Sequence, residues 1–185
     1  MPIRFEISEY INPVFVETGS YRGDGIAAAL SAGFEKVYSI EVHEPYYNGC
    51  CERFAAEIEE GRVELRLGPS EERLRDVVAG LEERATFWLD AHRHFEGASE
   101  VHCPVSHELD AIGTSQIRDH VILIDDIRLV RDPAAWGGHD VSLGASCAQL
   151  FEINPDYHLS LIDGEVPRDV LVALPRNYWD SGNRS

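Results

Sequence analysis

No stretch of this chain is apolar for long enough to cross a membrane, and its N-terminal MPIRFEISEY lacks the apolar core that a signal peptide needs. Basic residues are scarce: 16 Lys and Arg stand against 33 Asp and Glu, a net charge of −17. A surface of that sign repels phosphate backbones and anionic lipid, so neither nucleic acid nor a membrane is expected as a partner. It leaves room for a nucleotide-like cofactor held by backbone amides, and it favours a cationic ligand. The four cysteines, Cys50, Cys51, Cys103 and Cys147, form no C-x-x-C pair and no zinc-type spacing. They point to a reduced, cytoplasmic protein, with Cys50 and Cys51 filling space in a helical pattern. No repeat, low-complexity tract or linker divides residues 1–185, which read as one domain. A hydrophobic content of 44% is enough for a packed core and argues against disorder.

What the chain does have is concentrated in residues 14–25, VFVETGSYRGDG. Val14-Phe15-Val16 is a short apolar run with strand character; it ends at Glu17, and glycines follow at 19, 23 and 25 before an alanine-rich helix. A strand that breaks into a glycine loop and then a helix lets backbone approach a ligand closely, with unpaired N–H groups at the helix start. A dinucleotide fingerprint would need a second glycine where Tyr21 stands. The pattern here is instead E-x-G-x-x-x-G-x-G.

The rest alternates strand and helix. The first helix is expected over Ile26–Ala32 with Gly33 as its C-cap, and a strand over Lys36–Glu41. One helix is expected over 46–59, with Tyr47, Cys50, Cys51, Phe54 and Ile58 on its buried face. A strand over 62–67 ends in Gly68-Pro69-Ser70, where Ser70 is placed to cap the next helix. Leu74, Val77, Val78 and Leu81 give that helix its stripe. Further strands are expected at 86–90 and 120–126, with a helix from Pro104 between them. Residues 128–140 read as a loop, 142–152 as a helix, and 157–162 with 168–174 as a terminal hairpin. This is an α/β chain with a mostly parallel sheet covered on both faces. Four of its strands end in or at an acid, Glu17, Glu41, Asp90 and Asp125, at the end where such sheets bind ligands.

Three segments together, ETGSYRGDG at 17–25, FWLDAH at 87–92 and VILIDD at 121–126, resemble a group of small bacterial S-adenosylmethionine-dependent methyltransferase-like proteins. The resemblance implies a three-layer Rossmann-like methyltransferase fold, sheet order 3-2-1-4-5-7-6, with a C-terminal antiparallel hairpin. It implies S-adenosyl-L-methionine as cofactor, its methionine end held by Glu17, Gly19, Ser20 and Gly23, with Thr18 also among the cofactor-binding residues. Glu41 would accept both ribose hydroxyls, since a carboxylate can take two hydrogen bonds from a vicinal diol. Pro69 stands where the family often has aspartate near the adenine, which leaves Ser70 as a weaker substitute. Asp90 is placed to contact cofactor or substrate.

The acids at the ends of the fourth and fifth strands raise the question of a metal. Neighbouring strand ends lie about 5 Å apart, so Asp90, Asp125 and Asp126 would repel unless one is protonated or a cation sits among them. Magnesium or calcium would suit their oxygens; His92 and His94 would favour manganese, iron or zinc. Some O-methyltransferases that the chain resembles hold magnesium this way. The other reading leaves Asp90 to bind substrate, Asp125 to cap a turn and the histidines in solvent.

The expected reaction is attack of a substrate hydroxyl on the cofactor's methyl group, on a small polar metabolite or sugar. His92 is the first candidate for general base and Asp90 the second; Trp136 is placed to close over the substrate. Only residues 1–13 precede the first strand, whereas many such enzymes carry a helical lid there. The acceptor site is then expected from 91–103, from 127–141 or from a second subunit in a homodimer. Two rivals stay open: a metal-dependent hydrolase using Asp90, His92, Asp125 and Asp126, and a cofactor-binding module without catalysis.

Overall fold

The computed structural model describes residues 3–92, 103–130 and 142–178. After a 3-10 turn at Ile7–Tyr10, the chain runs β1 (Val14–Thr18), α1 (Asp24–Ala32), β2 (Lys36–Glu41), α2 (Glu44–Arg53), α3 (Ala55–Glu59) and β3 (Val63–Leu67). It continues through α4 (Ser70–Ala79), β4 (Ala85–Leu89), α5 (Val105–Ile112), β5 (Val121–Ile124), α6 (Ile127–Val130), α7 (Leu143–Ile153), β6 (Tyr157–Ile162) and β7 (Val170–Pro175). His94 and Trp136 lie outside the described residues.

The seven strands form one sheet in the order β3-β2-β1-β4-β5-β7-β6. β1 to β5 are parallel, and β7 is antiparallel to both β5 and β6. The central strands are apolar throughout because both faces are covered. Val16, Phe87 and Ile122 pack with α4, α5 and α7 on one side; Phe15, Trp88 and Leu123 pack with α1, α2 and the N-terminal segment on the other. Burying one such side chain contributes about 2 kcal/mol. Register then fixes the rim: Thr18 lies opposite Leu89 and Leu89 opposite Ile124, so the residues after β1, β4 and β5 emerge at one level.

Five expectations change. α1 begins at Asp24, two residues early, because Gly23 takes a left-handed conformation that ends the loop there. The helix expected over 46–59 begins at Glu44 and breaks at Phe54 (φ −114°, ψ 26°), whose ring is drawn beneath the glycine loop. Ser70 does not cap α4. The carbonyl of extended Pro69 accepts the first helical bonds, from Glu72 and Arg73, so Ser70 becomes the first helical residue and turns inward. Residues 127–130, which overlap the start of the loop expected over 128–140, form the short helix α6, and β7 runs over 170–175 rather than 168–174.

Candidate functional site

The glycine loop sits where two strands hand it their carbonyl ends. Gly19 and Ser20 both donate their N–H to the Ile40 carbonyl oxygen, at 2.8 and 3.2 Å. Gly19 (φ +88°) has β4 hard against it: a Cβ there would stand 2.4 Å from the Asp90 carbonyl oxygen. Gly23 (φ +80°) leaves room for Phe54, 2.4 Å from where its Cβ would be. These two positions demand glycine on both conformational and steric grounds.

The acids of this half are satisfied by the chain itself. Glu41 accepts the backbone N–H of Tyr21 on Oε2 at 2.8 Å and that of His43 on Oε1 at 2.7 Å. Each oxygen keeps lone pairs for a further donor. Glu17 lies deeper, 2% exposed, beneath the start of α1. Its Oε1 accepts from the Ser39 hydroxyl at 2.6 Å, and Ser39 in turn meets the Ser20 hydroxyl at 2.5 Å. Burial pushes its pKa to about 8, against the lowering effect of Ser39. Glu17 is therefore the floor of the loop, two hydroxyls removed from its surface. Cys50 also belongs to the loop's support: buried, with its thiol raised to about 11, it donates toward the Tyr21 carbonyl at 3.5 Å. All four cysteines are free thiols.

The other half follows β4 and β5. Asp90 donates its N–H to the Thr18 carbonyl at 3.2 Å, and Asp125 to the Leu89 carbonyl at 3.1 Å, which continues the parallel ladder and sets the two acids side by side. Burial, with repulsion from Asp126 behind it, lifts Asp90 to about 6. Burial and then repulsion from Asp90 and Asp126 lift Asp125 to about 7. His92 stands near: Asp90, His92 and Asp126 each present a ligand atom within 4.8 Å of the others, as do Asp125, Asp126 and Asp169. Both ring nitrogens of His92 are buried, and desolvation followed by the Arg128 charge depresses its pKa to about 4. Asp126 has a left-handed backbone (φ 56°), which an aspartate tolerates better than most side chains.

Three residues of this region escaped the sequence reading. Arg128 pairs its Nη1 with Asp126 Oδ1 at 2.8 Å and with Asp169 Oδ2. Asp169, 1% exposed, also accepts the backbone N–H of Arg128 at 2.9 Å, so the β6–β7 hairpin is clamped onto α6. The third is Glu108 on α5, fully buried. Its pKa is lifted by burial to about 7, while the hydroxyls of Ser70 and Thr18 pull it back down. Those hydroxyls approach without an aligned hydrogen bond, and both carboxyl oxygens stay unpartnered. The only hint in the sequence was that Asp169 closes a polar turn immediately before an apolar run; Arg128 and Glu108 gave none.

The structure thus gathers Glu17, Thr18, Gly19, Ser20, Gly23 and Glu41 around one loop. It places Asp90, His92, Asp125 and Asp126 next to that loop. Ser70 sits behind it, its hydroxyl turned toward Glu108 and away from solvent. An open cleft of about 330 Å³ lined by Asp156, His158 and Arg176 lies at the opposite end of the sheet, far from these acids. The convergence of loop and carboxylates, not the cleft's size, marks the site. Among the described residues no helix is long and apolar enough to cross a membrane.

No protein-family model matches the chain, and no curated protein matches it in sequence. Solved structures do match. An O-methyltransferase from Bacillus cereus, in complex with SAH, superposes with a TM-score of 0.62 at 14% identity, over 91% of this chain and 76% of its own. The O-methyltransferase TomG from Streptomyces achromogenes, involved in tomaymycin synthesis and bound to SAM, gives 0.62 at 14%, over 91% and 75%. Spermidine synthase from Thermotoga maritima gives 0.58 at 12%, over 92% and 56%, so the same frame also serves a different named enzyme. With this sheet order and these likenesses, the chain has the Rossmann-like methyltransferase fold.

Proposed function

We propose that the protein is an S-adenosyl-L-methionine-dependent methyltransferase that methylates an oxygen of a small polar acceptor. The observation that carries this reading is Glu41. Its carboxylate is fixed by two backbone N–H groups at the end of β2, beside a glycine loop, with lone pairs left for a ribose diol. A hydrolase would have no use for that arrangement. The net charge of −17 also favours a sulfonium cation.

In this reading the glycine loop and Glu41 hold the cofactor, and the methyl group faces the rim over β4. Catalysis rests on alignment of the acceptor oxygen with that methyl group. The acceptor's proton passes to a carboxylate or imidazole at the rim. Asp90, lifted toward neutrality, is better matched to the task than His92, which burial leaves neutral but weakly basic. A divalent ion is a second way to activate the acceptor, and the ligand atoms of Asp90, His92 and Asp126 are close enough to share one. Its charge balance does not fit as well, because Asp126 already carries the Arg128 guanidinium.

Calorimetric titration with S-adenosylhomocysteine tests the reading. Binding in the micromolar range is expected, weakened about tenfold in Glu41→Ala, or about 1.4 kcal/mol. No heat with wild type would overturn it in favour of the hydrolase. Binding without turnover across an acceptor panel would leave a cofactor-binding module.

A further inference from the structure

We propose that Arg128 is the resident cation of the rim acids, occupying the place of a divalent ion, so that the protein carries its electrophile covalently. This rests on the methyltransferase reading for its purpose, though not for its evidence. Arg128 makes three contacts: its backbone N–H donates to Asp169 Oδ1 at 2.9 Å, and its guanidinium pairs through Nη1 with Asp169 Oδ2 and with Asp126 Oδ1 at 2.8 Å. Asp169 is 1% exposed and anchored by the hairpin; both of its oxygens are committed to Arg128. Asp126 Oδ1 has no hydrogen-bond partner of aligned geometry, so the ion pair with Arg128 is what compensates its burial.

Among the described residues, both clusters whose ligand atoms are close enough to share an ion contain Asp126, and one contains Asp169 as well. A divalent cation entering either would meet a guanidinium on its own ligand and would have to expel it. A guanidinium keeps further N–H donors beyond those used here, and the side chain is 33% exposed. It can therefore bind the acceptor oxygen, or an anionic group beside it, as a metal would.

The test is Mn2+ binding, read by electron paramagnetic resonance on wild type, Arg128→Gln and Arg128→Lys, without cofactor. Wild type and the lysine variant, which keep the charge, are expected to bind only at millimolar levels, and Arg128→Gln about tenfold or more tightly. Should the glutamine variant not fold, phenylglyoxal treatment of the folded wild type neutralises the same group. Modified arginines are mapped by mass spectrometry, and binding should appear with modification of Arg128. Micromolar Mn2+ binding by wild type, or no gain once Arg128 is neutralised, would overturn the proposal. Neither outcome bears on S-adenosylhomocysteine affinity, so this inference and the proposed activity fail separately.

Discussion

Glu41 and Asp126 are both acids at the ligand end of a strand, 6% and 7% exposed, yet they are compensated in opposite ways. Glu41 is held by two backbone N–H groups of its own neighbourhood. Asp126 is held by a side-chain charge that also serves Asp169. Backbone donors cannot swing away, so the β1–β2 half of the rim is preorganised for a neutral donor such as a diol. A guanidinium on a flexible stem can exchange partners, so the β4–β5 half is set for a ligand that competes with its charge. The difference suits a site with one fixed cofactor and one acceptor that comes and goes.

The largest effect is expected where the two halves touch. Gly19→Ala puts a methyl 2.4 Å from the Asp90 carbonyl oxygen and asks an alanine to adopt φ +88°. Backbone cannot yield as a side-chain tip does. A loss of about 3 kcal/mol is expected, lowering Tm by about 10 °C. A melt unchanged within about 2 °C would mean that β4 slides free of the loop and that the halves are independent.

The β4–β5 half should show its strain in pH dependence. Asp125 has a folded pKa of about 7 against an unfolded value of about 3.9. The native state keeps this proton to higher pH than the unfolded state, so stability falls as pH rises between these values, and the penalty persists above them. Asp125→Asn removes the penalty while retaining an oxygen for the Asp126 N–H, now 2.8 Å away. The variant is expected to be more stable than wild type by on the order of 2 kcal/mol at about pH 8, and equal to it at about pH 4. Equal curves at both pH values would show that a cation already neutralises the cluster fully.

The β1–β2 half of the rim was legible in the sequence and the β4–β5 half only partly so, for a physical reason. Gly19 and Gly23 have left-handed backbones that a strand-glycine-helix pattern announces within a few residues, and Glu17 and Glu41 stand at strand ends that the apolar runs mark. The strand cores were legible because runs such as Val121–Ile124 are buried on both faces. Phe54 looked like any other position on a helical stripe; its break depends on Gly23, a tertiary neighbour. Asp169 becomes part of the site only because β7 pairs with β5 and brings it to Arg128, 41 positions earlier. Glu108 reads as a solvated helix acid until α5 packs against α4 and Ser70 turns toward it.

The smallest effect sharpens the same contrast. The loop half does contain an ion pair, Arg53 Nη1 to Asp24 Oδ1 at 2.8 Å, but its side chains are 42% and 45% exposed. Solvent screens such a pair, and Asp24 keeps a favourable place in the first turn of α1 without it. Arg53→Ala is therefore expected to change stability by no more than about 0.5 kcal/mol. Affinity for S-adenosylhomocysteine should stay within about twofold of wild type, a change worth about 0.4 kcal/mol. Chemical melts and one titration measure both. If Arg53→Ala weakened the ligand as much as Glu41→Ala, the loop would be held in place by charge pairing. The β1–β2 half would then follow the same rule as the β4–β5 half, since its backbone hydrogen bonds alone would not be fixing Glu41.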